Sequence, residues 1–122
     1  MPDRTTIEQF IATVERGQTV EALRRYYDEA ATMQENGEPP RAGLAALIAH
    51  EEAALRRLRI NRARAASFVV DGDRVAINWV FEVSAPDGSA RRLDEIAYQR
   101  WSGGKIVEER FFYDPSWLRA PS

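Results

Sequence analysis

Between residues 75 and 83 the chain alternates with a period of two. Val75, Ile77, Trp79, Phe81 and Val83 share one parity, and Ala76, Asn78, Val80 and Glu82 share the other. Successive side chains of a strand point to opposite faces, so this run demands a sheet with one dry side. Something apolar has to cover that side, and the first half of the chain offers it. Ile7, Phe10, Ile11 and Val14 recur at i, i+3, i+4 and i+7, the stripe of an amphipathic helix. Thr5 and Glu8 have capping-box spacing at its start, and Gly17 suits its stop. A second helix is predicted over roughly 19–28, burying Val20, Leu23 and Tyr27, followed by a short strand over 30–36. Gly37 and Pro39-Pro40 break the chain before a third helix, roughly 42–57, with Leu44, Leu47, Ile48 and Leu55 inward. Strands are predicted over roughly 58–70, 74–84, 90–101 and 105–113, separated by Asp71-Gly72-Asp73, Pro86-Asp87-Gly88 and Ser102-Gly103-Gly104. Helices first and long antiparallel hairpins second make an α+β fold with the helices on one face of the sheet.

With 122 residues, the chain has the length of one domain, expected to span 1–122. Apolar residues at 44% and charged residues at 30% place it among globular chains rather than disordered ones. The absence of cysteine excludes disulfide and thiolate chemistry, and a single histidine argues against a histidine-rich zinc site. No metal or cofactor is expected. A net charge of −2 gives no general pull toward nucleic acid. Arg56, Arg57, Arg59, Arg62 and Arg64 do cluster, but arginines at a helix C-terminus complement its dipole and an alternating strand places the rest on a wet face. No run approaches 18 apolar residues, and Met1-Pro2-Asp3-Arg4 lacks the apolar stretch of a signal peptide. A cytoplasmic protein without membrane or nucleic-acid partners is the simplest expectation.

The order of elements, together with three local patterns, resembles the nuclear transport factor 2-like superfamily, which includes SnoaL-like cyclases and ketosteroid isomerases. Tyr26-Tyr27-Asp28-Glu29-Ala30 looks like that family's exit from helix two, and Pro40-Arg41-Ala42-Gly43 like its entry to helix three. Gly104-Lys105-Ile106 with Glu109-Arg110-Phe111-Phe112-Tyr113-Asp114 looks like its last hairpin and strand. The resemblance implies a cone in which three helices roof a curved, mostly antiparallel sheet around one pocket. It also implies where catalytic groups would sit. The general-base aspartate of ketosteroid isomerases matches Gln34, their oxyanion-hole tyrosine Phe10, and their protonated aspartic acid Ala97, so all three groups are replaced. The aspartate–arginine–aspartate set of limonene epoxide hydrolases matches Trp79, Phe81 and Phe111, which cannot position water.

Those replacements suggest an aromatic cup lined by Phe10, Trp79, Phe81, Ala97, Trp101, Phe111 and Tyr113, fit for an apolar or cyclic small molecule unless the rings simply fill the core. His50 lies on helix three, three residues after Leu47, and faces either the pocket or the boundary of the buried stripe. Facing inward, it is a candidate catalytic group together with Glu109. Glu95 and Glu109 each share a strand face with pocket positions. Either one is a desolvated acid–base carboxyl or a partner of Arg91, Arg92 or Arg110. Parity on the last strand is a further open point. A tight hairpin pairing Trp101 with Ile106 puts even-numbered residues inside, whereas the resemblance puts odd-numbered residues inside and requires a bulge or a three-residue loop. Asp114 and Pro115 close that strand, and Trp117 and Leu118 are expected over the rim or on a partner. Ala76, Val80, Ile96, Tyr98 and Phe112 form an outer patch large enough to imply a homodimer through the sheet face. Three functions stay open: an acid–base isomerase, cyclase or hydrolase, a non-catalytic ligand carrier, and a dimerising interaction module.

Overall fold

A computed structural model of the chain describes residues 2–118. Helix α1 (Arg4–Glu15) opens at Asp3, whose carboxylate accepts from the Thr6 N–H at 2.7 Å. Asp3 is therefore the cap in place of the expected Thr5–Glu8 box. An extended aspartate just before the helix reaches a free amide directly, which leaves Thr5 inside the first turn. Helix α2 (Thr19–Tyr26) stops before Tyr27, which is extended (φ −104°, ψ 141°) and begins strand β1 (Tyr27–Glu35). Tyr27 is thus buried as a strand residue and not as a helical one, and Val20 is only half-buried. A two-residue strand that the sequence reading missed, β2 (Arg41–Ala42), pairs with β1 before α3 (Leu44–Arg57). Strands β3 (Arg59–Asp71), β4 (Arg74–Ser84), β5 (Ala90–Ser102) and β6 (Lys105–Phe112) follow, and a 3₁₀ turn at Pro115–Leu118 lies against β5.

The six strands form one sheet in the order β2-β1-β6-β5-β4-β3, antiparallel everywhere except between β1 and β6. The three helices cover one face. Helix α1 packs on β3 and α2, and α3 packs on α2 and β1. The odd-numbered residues of β4 point into this layer. Val75 and Ile77 are fully buried, Trp79 nearly so, and Phe81 packs on the same core.

The last hairpin reconciles the two parities. Gly103 (φ 59°) and Gly104 (φ 77°) make a two-residue loop with both φ values positive, the geometry that tight hairpins favour. Trp101 pairs with Ile106 as a tight turn requires, but Arg100 pairs with Glu108, so Val107 is an extra residue on β6. Ile106 is therefore inside before the bulge, and Glu109 and Phe111 are inside after it.

Two expectations about burial change. Val80 is on the outer face but is only 5% exposed, so the open patch reduces to Ile96, Tyr98 and Phe112. Guanidinium groups cover part of that patch, Arg74 over Tyr98 at 5.6 Å and Arg110 over Phe112 at 4.6 Å. Leu55 is 38% exposed and sits on the lip of a cavity rather than in the core. Trp117 is also exposed, and the side chain of Leu118 lies outside the described residues.

Phe10 is the hub of the interior. Its ring meets Tyr26, Tyr27, Trp79 and Trp101 edge-on at centroid distances of 5.5, 6.1, 6.3 and 6.0 Å. Phe10→Ala should cost about 3–5 kcal/mol in urea unfolding. A loss below about 1 kcal/mol would show that α1 can repack without this ring.

Candidate functional site

The helices do not fill the sheet's concave side completely. A cavity of about 220 Å³ remains, bounded by α1, α2 and α3 above and by β1, β3, β4, β5 and β6 below. This is smaller than the ~300–1,000 Å³ that drug-sized ligands occupy, so the space suits a small molecule. Phe10, Tyr27, Trp79, Phe81 and Phe111 supply aromatic walls, with Trp79 and Phe81 stacked at 5.7 Å.

Of the residues singled out in the sequence, Phe10, His50, Trp79, Phe81, Glu95, Glu109 and Phe111 line this cavity. Gln34, Ala97, Trp101 and Tyr113 do not. Gln34 points away and donates to the Glu38 carbonyl at 2.9 Å. Ala31 is fully buried on β1, and period two then places Met33 and Glu35 on the inner face and Gln34 on the other. The first strand therefore does present a carboxylate to the cup, one residue beyond the amide. Ala97 and Trp101 are buried in the core and do not line the cavity. Tyr113 acts from behind: its hydroxyl donates to Glu35 Oε1 at 3.1 Å.

Glu109 is the most deeply placed of the acids. Tyr27 donates its hydroxyl to Glu109 Oε1, and the Gln99 amide donates to Oε2 at 2.6 Å. Gln99 is itself fixed by Trp101, whose indole N–H donates to its carbonyl oxygen at 2.9 Å. An indole can only donate, so the oxygen of Gln99 must face Trp101 and its NH₂ must face Glu109. Gln99 sits opposite Glu109 across the β5–β6 ladder, and the Val107 bulge brings them into that register. Burial pushes Glu109 up to about 7, against the opposing effect of its two donors and with a small contribution from Glu51. The Tyr27 phenol is raised well above its ordinary value by burial and by Glu109, so it stays protonated as a donor.

Glu95 is 8% exposed, and among the described residues its carboxyl has no hydrogen-bond or ion-pair partner. Burial, and then repulsion from Glu109, Glu35 and Glu51, raises it to about 8. The arginine partners considered for Glu95 and Glu109 therefore do not materialise for either carboxylate. At the mouth, His50 Nε2 stands 3.7 Å from Glu35 Oε2, both side chains about one-third exposed. Glu51 accepts from the Thr19 hydroxyl at 2.6 Å. Glu35, Glu51, Tyr27 and Gln99 are the site residues that sequence reasoning missed. Only the alternation running from Ala31 could have flagged Glu35. Among the described residues, no group of three or more His, Asp or Glu is arranged to hold a metal ion, and no helix is long and apolar enough to cross a membrane.

Solved structures share this architecture. A protein from Mesorhizobium loti, assigned provisionally as a SnoaL-like polyketide cyclase, superposes with a TM-score of 0.82 over 93% of this chain and 100% of its own, at 23% identity. A ketosteroid isomerase-like fold from Catenulispora acidiphila, in complex with trimethylamine, gives 0.79 over 97% and 91% at 13% identity. An NTF2-like protein of unknown function from Burkholderia pseudomallei gives 0.78 over 90% and 88% at 14% identity. Identities this low establish the fold and nothing finer. No curated protein matches the chain. A sequence model of the SnoaL-like domain matches residues 7–109, from the first helix through the carboxylate of the last strand. The arrangement of three helices over a curved sheet and this match agree, and the chain belongs to the SnoaL-like domain family.

Proposed function

We propose that the cup is the active site of a cofactor-independent enzyme that moves a proton on a small, largely apolar molecule, as an isomerase, cyclase or hydrolase does. The observation that carries this reading is Glu109. A carboxyl on the wall of an aromatic cavity, oriented by two donors and raised by burial to about 7, is suited both to take and to return a proton near neutral pH. Each of its oxygens keeps a lone pair beyond the one engaged, so the group can still reach a substrate. Proton exchange with water falls to the pair at the mouth, His50 and Glu35. An imidazole can pass a proton in either direction, and this one is partly exposed. Phe10, Trp79, Phe81 and Phe111 provide the apolar contacts, and Glu95 is left to meet a polar group of the ligand. Two copies are proposed to pair through Ile96, Tyr98 and Phe112 on the outer face of the sheet.

Incubating the protein with small cyclic ketones, amino ketones included, in D₂O, and following exchange of the C–H next to the carbonyl by NMR, reads proton abstraction directly. Glu109→Gln should slow exchange on any responsive compound by about 100-fold or more, with binding changed little, and His50→Ala by less. Undiminished exchange in Glu109→Gln would remove this carboxyl from the mechanism, and binding without exchange on any compound would favour a carrier.

Both buried acids also bear on stability. Their folded values, about 7 and about 8, lie above the ordinary 4.5. Below about 4.5 both states are protonated and stability is complete. As pH rises through 7 to 8, the unfolded chain has already ionised while the folded one resists, and stability is lost. The melting temperature should therefore fall between pH 5 and about 8.5, and Glu95→Gln should flatten that slope. A melting temperature flat over this range in the unaltered chain would mean that Glu95 is not desolvated in solution.

A further inference from the structure

The cavity wall carries four carboxyl groups, Glu35, Glu51, Glu95 and Glu109, and no lysine or arginine lines it among the described residues. Three of the four are occupied. Glu35 is held by Tyr113 beside His50, Glu51 by Thr19, and Glu109 by Tyr27 and Gln99. Glu95 alone has no partner among the described residues, though it is more than nine-tenths buried and turned into the cavity. Leaving a buried carboxyl unsatisfied is costly, and a ligand that supplies the missing partner recovers that cost.

Two kinds of partner are conceivable: a neutral acceptor to which a protonated Glu95 donates, or a cation that an ionised Glu95 balances. The surroundings favour the cation. An acceptor leaves the repulsion among the four acids untouched, whereas a positive charge placed between them relieves it. An anion would meet four acids and no guanidinium or ammonium. The rest of the wall is aromatic, and the negative faces of Trp79, Phe81 and their neighbours attract an organic cation while their bodies shed water from its alkyl groups.

We infer that the cup takes a small organic cation, a protonated or quaternary amine with an apolar body, and that Glu95 is its counter-ion. This rests on the reading that the cup is a ligand site, and it specifies the class of molecule that enters. Binding is proton-linked. A cation beside Glu95 favours the carboxylate, so at neutral pH the protein releases a proton as it binds, and affinity rises with pH toward about 8. The other titratable groups facing the same space are Tyr27 and Glu35 from β1, His50 and Glu51 from α3, and Glu109 from β6. Tyr27 stays protonated throughout, and ionisation of Glu109 acts in the same direction as that of Glu95.

Phenyltrimethylammonium and tert-butylbenzene have the same shape and differ in charge, which isolates the electrostatic contribution. In calorimetric titration of the intact chain at pH 8, the ammonium compound should bind at least about 10-fold more tightly. Its affinity should climb between pH 6 and 8, while that of tert-butylbenzene should stay level. Glu95→Gln should erase most of the preference and of the pH dependence without weakening tert-butylbenzene. Equal binding of the two compounds, or a preference for the neutral one, overturns the amine assignment and leaves the cup as a ligand site. Failure of both to bind overturns the ligand site as well. The comparison on the unaltered chain stands whether or not the Glu95 variant folds.

Discussion

One extra residue in the last strand governs the chemistry of this fold. Strand β6 leaves its hairpin in one parity and, after Val107, continues in the other. Without that insertion Ile106 could still sit in the core, but Glu109 and Phe111 would turn to the outer face and the cup would lose its deepest acid. The bulge also aligns Glu109 with Gln99 across the ladder, so the hydrogen bonds that orient the carboxylate follow from the register. The site is thus a product of strand geometry, in which a single unpaired residue re-aims a side chain.

Packing then decides how much room remains. Phe10 draws Tyr26, Tyr27, Trp79 and Trp101 around itself by edge contacts, and Phe10, Tyr27 and Trp79 form one side of the cavity that is left between the helices and the sheet. The rings that frame the opening, Phe81 and Phe111, pack only partly, so they serve both the core and the cavity. The sheet does not close into a barrel; its long edge strand β3 is backed by α1, and the opposite edge is the two-residue β2.

Much of this was legible from residue order. The alternation from Val75 to Val83 and the stripe Ile7, Phe10, Ile11, Val14 were enough to place helices over one face of an antiparallel sheet. The inward set Phe10, Trp79, Phe81, Glu95, Glu109 and Phe111 followed from strand parity together with the resemblance. What failed, failed for physical reasons. Ala31 and Met33 alternate with Thr32 and Gln34, but the run is short and its apolar contrast weak, so the alternation that favours Glu35 could not outweigh the match of Gln34 that the resemblance implies. Tyr27 satisfies helical spacing after Val20 and Leu23 as well as it satisfies a strand, and only the backbone turning extended at that residue decides. The bond from Gln99 to Glu109 joins residues ten apart through a bulged hairpin, and no local pattern announces it.

The donor-only indole of Trp101 has an effect that reaches beyond orientation. Because it fixes the Gln99 amide as a donor, and because the Tyr27 phenol holds on to its own proton, neither hydrogen-bond partner of Glu109 among the described residues is a base that can take a proton from it and keep it. The carboxyl has no route for a proton into the scaffold behind it. Whatever hydrogen it gains must come from the open side and must leave the same way, so the floor of the cup behaves as an insulator and traffic runs through a single door.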